Sequence, residues 1–280
     1  YNVLMVDALV NEFFTPPDPT FDPLAFNFDT DPARMQAFSA VYDTYRDDKL
    51  AAYKARGGKM LFIHGMSYPI FSADEVLKSV EAVVVTHTHT DHWDEAAQQQ
   101  IPKNLPVFVQ NEVDAKTIRA QGFKDVRVLK GTTTFNGVKL SKTGGQHGTD
   151  LFYADPERAQ MGGSVMGVVF SAPKAKTVYV AGDTVWRPEV DQALAQHRPD
   201  VVILNTGSAL VSGFEEHPII MGKQDTLQAT KAAPKAAIVA VHMDSVNHMS
   251  LSRKELREFV QENKIRDRVM IPEDGEVMKF

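Results

Sequence analysis

From about residue 72 onward, short apolar runs alternate with stretches of helical spacing. Ala82-Val83-Val84-Val85 is an unbroken apolar run, too short for a helix, and predicts a buried strand. Further strands are predicted over 106–109, 126–129, 138–140, 165–170, 177–181, 201–204 and 237–241, with short strands closing the chain. Helices are predicted between them. Ser72-Ala73-Asp74-Glu75 forms a capping box that opens a helix through Val80. Another helix covers about 94–100, and Asn111 caps one that runs through Ala120 and closes at Gly122. Later helices are predicted over 188–196, 225–232 and 252–262. This alternation places the chain in the layered α/β class.

Residues 1–58 have a different texture. Thr15-Pro16-Pro17-Asp18-Pro19 reads as a loop. Asp31-Pro32 predicts a helix start, with Met35, Phe38, Val41 and Tyr42 following at helical spacing. Residues 50–56 predict a helical turn stopped by Gly57-Gly58, and 59–64 a strand. The expected organisation is an N-terminal segment, 1–58, followed by one domain over 59–280.

Composition removes several function classes. The chain has 280 residues, 43% hydrophobic and 24% charged, the profile of a globular protein with ample core. A net charge of -6 gives no general attraction to nucleic acid or to an anionic membrane. No apolar run approaches the roughly 18 residues that a membrane span requires. There is no cysteine, so any metal must be held by histidine and carboxylate. The sequence opens on Tyr1-Asn2-Val3 with neither an initiator Met nor a signal-peptide pattern, and a cytoplasmic location is expected.

Candidate chemistry is concentrated in Thr86-His87-Thr88-His89-Thr90-Asp91-His92-Trp93-Asp94, directly after the first valine run. Three of the nine histidines fall within six residues there, with a carboxylate between them. Imidazole and carboxylate are the ordinary ligands of Zn, Mn and Fe. Three further donors stand at or near predicted strand ends: His147 in the loop Thr143-Gly144-Gly145-Gln146-His147-Gly148, Asp183 in Gly182-Asp183-Thr184, and His242 after 237–241. Strand ends at one edge of a layered sheet are where α/β proteins gather their sites. Counting donors gives His87, His89 and His147 to one ion and Asp91, His92 and His242 to a second. Asp183 is left over and is placed to bridge the pair, which makes Asp91 and Asp183 the carboxylates expected at the reacting centre. Two divalent ions, as Zn, Mn or Fe, are the expected cofactors.

H-x-H-x-D-H, a lone His, Gly-Asp-Thr after a strand and a His after a strand, in that order, resemble the metallo-β-lactamase fold. Val84-Val85-Thr86-His87-Thr88-His89, Gly144-Gly145-Gln146-His147-Gly148 and Ala181-Gly182-Asp183-Thr184-Val185-Trp186 are most similar to the branch containing L-ascorbate-6-phosphate lactonase. The resemblance runs over about 72–280 and implies an αββα sandwich with a dinuclear site at one edge. It implies a small-molecule substrate, first a lactone or other ester-like bond attacked by a metal-bound hydroxide. The alternatives are phosphodiester hydrolysis at the same two metals and a metal-binding chimera without activity. A homo-oligomer is compatible with this reading.

A second resemblance covers the start of the chain. Asp22-Pro23-Leu24-Ala25-Phe26-Asn27-Phe28-Asp29, Asp31-Pro32-Ala33-Arg34 and 55–65 are similar to the C-terminal part of the tannase and feruloyl esterase family. Tyr68-Pro69 stands where that family carries its triad aspartate, and no G-x-S-x-G elbow occurs. The segment is therefore expected to be scaffold, and Phe62-Ile63-His64-Gly65 replaces the Leu-Ile-Asp-Pro-like segment with which metallo-β-lactamase relatives begin. Four residues are candidates to face substrate: Trp186 and Arg187 after the Gly-Asp-Thr turn, His217 in a loop, and His248 six residues beyond His242. Each also has a plainer reading, as a packed Trp, a surface Arg, a loop His and a neighbour of the site. Asp94 is placed to orient a metal-binding His, whereas His64 is read as structural and His197 as solvated at a helix end.

Overall fold

Valine-rich triplets, stiff at χ1 and suited to a pleated surface, form the strands of the first sheet. The computed structural model describes residues 80–244, 248–273, 276 and 278–280. The elements expected before residue 80, including the 31–42 helix, the 59–64 strand and the capping box at Ser72, lie outside the described residues, as does His64. The first sheet is parallel, ordered β1 (Val83–Val85), β2 (Val107–Val109), β3 (Val126–Val128). Its crossovers carry α1 (Glu95–Gln100) and α2 (Glu112–Ala120), the latter capped by the Asn111 side chain as expected.

The second sheet has seven strands. β4 (Thr132–Phe135) and β5 (Val138–Thr143) form a hairpin, followed after two short helices, α3 (Asp150–Tyr153) and α4 (Pro156–Gly162), by β6 (Gly167–Ser171). Then come β7 (Val178–Val180), α5 (Pro188–His197), β8 (Val201–Asn205), α6 (Lys223–Ala232), β9 (Ala237–Val241), α7 (Arg253–Glu262) and β10 (Val269–Met270). The spatial order is β10-β9-β8-β7-β6-β5-β4. Three of these elements depart from the sequence expectation: β4, α3 and α4 were not predicted. β4 is Thr-rich and short of apolar residues, but Asn136 and Gly137 both have positive φ, 46° and 83°, as a tight two-residue hairpin turn demands.

Alternation along the strands sorts the core into layers. Val107 and Val109 of β2 pack with Ala115, Ile118 and Phe123 on the helical side, whereas Phe108 faces the other sheet and joins Leu140, Met166 and Val168. In the large sheet, Val202 and Leu204 of β8 pack with Val190 and Leu194 of α5 and with Leu256 and Val260 of α7. Helices thus cover both outer faces of two apposed sheets, an αββα sandwich. β5, β7, β8 and β9 run in the same sense, because β5 and β7 are both antiparallel to β6 while β7, β8 and β9 are mutually parallel. Their C-terminal ends therefore share one edge.

Trp93 anchors the histidine-rich loop to the small sheet. It is 4% exposed, its Nε1–H donates to Gln121 Oε1 at 2.8 Å, and its ring lies 5.4 Å from that of Phe123. Trp93→Ala is predicted to lower unfolding free energy by about 3–5 kcal/mol, whereas Trp93→Phe, which keeps most of the packing and loses the hydrogen bond, should cost about 1–2 kcal/mol. Urea denaturation of the two variants measures the difference.

Candidate metal centre

The loop after β1 folds back on itself. The backbone N–H groups of His92 and Trp93 both donate to the His89 carbonyl, at 3.0 and 2.8 Å. Asp94 then caps α1, its Oδ1 accepting from Ala97 N at 2.6 Å. The turn returns Asp91 and His92 toward the shared strand edge while Trp93 stays in the core. On the opposite sheet, β7 ends at Val180 and the chain passes through Ala181 to Gly182, whose φ of +71° and 2.7 Å approach of a would-be Cβ to the Met166 carbonyl leave no room for a side chain. Asp183 follows, 1% exposed. His242 follows β9 in the left-handed region, φ +64°, a conformation that a non-glycine residue holds only when its surroundings impose it.

Two donor clusters result. His87, His89 and His147 form one, and Asp91, His92, Asp183 and His242 the other, the ligating atoms of each lying within 4.8 Å of one another. The Oδ2 atom of Asp183 faces both. It lies 3.0 Å from His92 Nε2, 3.4 Å from His242 Nε2, 3.5 Å from His147 Nε2 and 4.0 Å from His87 Nε2. Asp91 Oδ2 stands 3.5 Å from His92 Nε2 and 3.9 Å from His242 Nε2. All seven donors read from the sequence are thus brought together.

Outer partners select which ring nitrogen His147, His89 and His87 present. His147 Nδ1 lies 3.0 Å from the Ile219 carbonyl, leaving Nε2 for the cluster. His89 Nε2 lies 2.9 Å from the Met161 carbonyl, which leaves Nδ1. His87 Nδ1 is 3.2 Å from Thr86 Oγ1, and its Nε2 is buried without a hydrogen-bond partner among the described residues. A ring held by one nitrogen to an oxygen, with the other turned inward, is the arrangement that metal-binding histidines adopt.

Electrostatics favour the ligating protonation states. Burial first, then neighbouring His92, holds His87 well below its ordinary value, against the pull of Asp183. Burial likewise lowers His147. Burial pushes the Asp183 carboxyl up, but His92 and His242 outweigh it and hold it well below the usual carboxylate range. These shifts favour neutral imidazoles at His87 and His147 and an ionised carboxylate at Asp183, the forms that bind metal. An imidazole nitrogen buried with no hydrogen-bond partner, beside a carboxylate ringed by nitrogens, fits a divalent cation of the Zn, Mn or Fe type.

The remaining candidates fall outside the clusters. Trp186 packs against the large-sheet core, with Nε1–H donating to Asp191 Oδ2 at 3.3 Å. Arg187 pairs with Asp150 at 2.5 Å and Glu189 at 3.3 Å. His217 stacks 5.0 Å from Phe214 in a loop. His248 lies beside the second cluster: burial lowers its pKa, with Asp91 opposing and His242 adding to the effect. His197 is the last residue of α5. One polar neighbour was passed over in the sequence: Asn205, at the end of β8, is buried and its Nδ2 donates to Asp183 Oδ1 at 2.5 Å. The signal was a polar residue closing the apolar run Val201-Val202-Ile203-Leu204 at the same edge.

The sequence model of the Beta-lactamase superfamily domain matches residues 61–243, and the chain belongs to that family, as a metal-dependent hydrolase of the metallo-β-lactamase fold. The match begins within the segment that carries the esterase-like motif. UPF0173 protein YddR of Bacillus subtilis (strain 168) is 44% identical over 209 residues, 75% of this chain and 80% of that protein. The crystal structure of a possible metal-dependent hydrolase from Veillonella parvula DSM 2008 is similar at 49% identity with a TM-score of 0.75, over 78% of this chain and 82% of that one. The crystal structure of isothiocyanate hydrolase from Delia radicum gut bacteria is similar at 47% identity with a TM-score of 0.73, over the same shares, 78% and 82%.

Because Asp183 Oδ2 faces both clusters, Asp183→Asn is predicted to weaken both ions or expel one, by on the order of 100-fold in affinity. His242→Ala should weaken a single ion and spare the three-histidine cluster. Isothermal titration with Zn²⁺ checks both. Unchanged stoichiometry and affinity in Asp183→Asn would instead make this carboxylate a turn residue.

Proposed function

We propose that this chain hydrolyses a small molecule at an electrophilic carbon, using two divalent ions. His87, His89 and His147 would hold one, Asp91, His92 and His242 the other, and Asp183 would touch both. The observation that carries this reading is the Asp183 Oδ2 position, within 3.0–4.0 Å of four imidazole nitrogens drawn from both clusters. When bound, such ions acidify water into a nucleophile near neutral pH and polarise the group under attack. Burial favours neutral His87 and His147, Asp183 is held below the usual carboxylate range, and Asp91 Oδ2, beside His92 and His242, would take up a proton at the reacting centre.

Two substrate classes are supported by different observations. An isothiocyanate stands first, because a solved relative 47% identical over 78% of this chain is an isothiocyanate hydrolase. In that reaction water oxygen adds to the central carbon, the C–N bond breaks, and nitrogen takes up two protons to leave as an amine while carbonyl sulfide is released. A lactone stands second, carried by the similarity of residues 84–94, 144–148 and 181–186 to the lactonase branch. A phosphodiester is less well served: Arg187, the cation next to the Gly-Asp-Thr turn, is engaged with Asp150 and Glu189. We take residues 1–58 as scaffold beside a hydrolase domain of 59–280; Tyr68 in place of the esterase aspartate supports this.

An alkyl or arylalkyl isothiocyanate should be turned over with kcat/KM about tenfold or more above that for a γ-lactone, and a bis(aryl) phosphodiester should be slower than either. Amine release, ring opening and aryl-alcohol release follow the three reactions. Chelation should abolish all turnover and added Zn²⁺ or Mn²⁺ restore it. Faster lactone hydrolysis would reverse the order of substrates, and metal-independent turnover would remove the proposal.

A further inference from the structure

Asp183 has two carboxylate oxygens, and the structure treats them differently. Oδ2 faces the imidazoles of both clusters, whereas Oδ1 points to the end of β8 and accepts the amide of Asn205 at 2.5 Å. Both residues are buried, Asn205 at 6% and Asp183 at 1% exposure. β7 and β8 are parallel neighbours, Val180 opposite Ile203, so the two residues leave adjacent strand ends at the same edge. Asn205 itself is fixed by pairing within β8–β9, opposite Val241, the residue before His242. One rigid strand end therefore stands between the Gly-Asp-Thr turn and the His242 turn.

A carboxylate among cations can bind with one oxygen or with both. With Oδ1 occupied by a buried amide donor, only Oδ2 is presented. Resting on the reading of this cluster as a two-metal centre, we infer that Asn205 is a positioning residue that confines Asp183 to single-oxygen contact with both ions. Without that donor, Oδ1 is released, the carboxylate can turn both oxygens toward one cluster, and the other ion loses a shared ligand. Among the described residues Asn205 Oδ1 has no hydrogen-bond partner, and burying an amide in that state is a cost that shape-filling alone would not justify.

Three variants separate donation from shape. Asn205→Leu keeps a similar volume but has no donor, Asn205→Thr keeps a donor in a smaller side chain, and Asn205→Ala removes both. Each full-length chain, stripped of metal, is titrated with Co²⁺ in competition with a chelator while the visible d–d absorption is recorded. The expected result is two ions in the wild type, and a loss of about 10–100-fold in affinity for at least one ion in Asn205→Leu and Asn205→Ala, the range for removing an outer partner of a metal ligand. The Co²⁺ spectrum should change in both, and Asn205→Thr should recover part of the affinity. Should Asn205→Ala fail to fold, the Leu and Thr pair decides the question alone. Wild-type-like affinity and spectrum in Asn205→Leu, beside a wild type that binds two ions, would overturn this inference alone. A folded wild type that takes up no Co²⁺ would remove the two-metal reading and this inference with it.

Discussion

A single buried carboxylate oxygen, Asp183 Oδ2, facing four imidazole nitrogens at 3.0–4.0 Å, is the constraint around which this fold is arranged. An ionised group so deeply buried is tolerable only when its charge is answered. The nitrogens that answer it come from both sheets: His87 and His92 follow β1, while His147 and His242 follow β5 and β9. No single strand end can supply that set. The two sheets must be apposed with their ends in register, and the dry contact among Phe108, Leu140, Met166 and Val168 is what apposes them.

Backbone conformation delivers the charged groups as strictly as packing does. Gly182 takes a positive φ and leaves Asp183 where a side chain at 182 would strike the Met166 carbonyl. His242 takes the left-handed region without being glycine, so β8, β9 and their partners must supply the energy of holding it there. Main-chain carbonyls at Met161 and Ile219 meet the outer nitrogens of His89 and His147, which ties the excursion of α3 and α4 and the loop before α6 to the centre. Main-chain groups outside the donor clusters thereby decide how those clusters are oriented.

The donors were legible in the sequence because they break a pattern. Polar residues directly after runs such as Val83–Val85 and Ala237–Val241 have no reason to stand at a buried strand end unless the end is used. The two-sheet layering was not readable from periodicity alone; it came from resemblance, and in the structure it rests on the opposite orientations of Phe108 and its valine neighbours. β4 escaped notice because Thr132-Thr133-Thr134 lacks apolar residues, although Asn136-Gly137 marked the hairpin. α3 and α4 were missed because short helices depend on caps, here Thr149 and Asp155, more than on spacing. Asn205 was visible as a strand end, but its pairing with Asp183 depends on β7 and β8 being neighbours, which is a property of topology.

The central claim is that both donor clusters bind metal at once around one shared carboxylate. Anomalous diffraction from crystals grown with Zn²⁺, collected on both sides of the metal edge, tests it most directly. The account predicts two peaks roughly 3.5–4 Å apart, one on the His87, His89 and His147 side and one on the Asp91, His92 and His242 side, with Asp183 Oδ2 between them. A single peak, or two peaks with Asp183 in contact with neither, would contradict it.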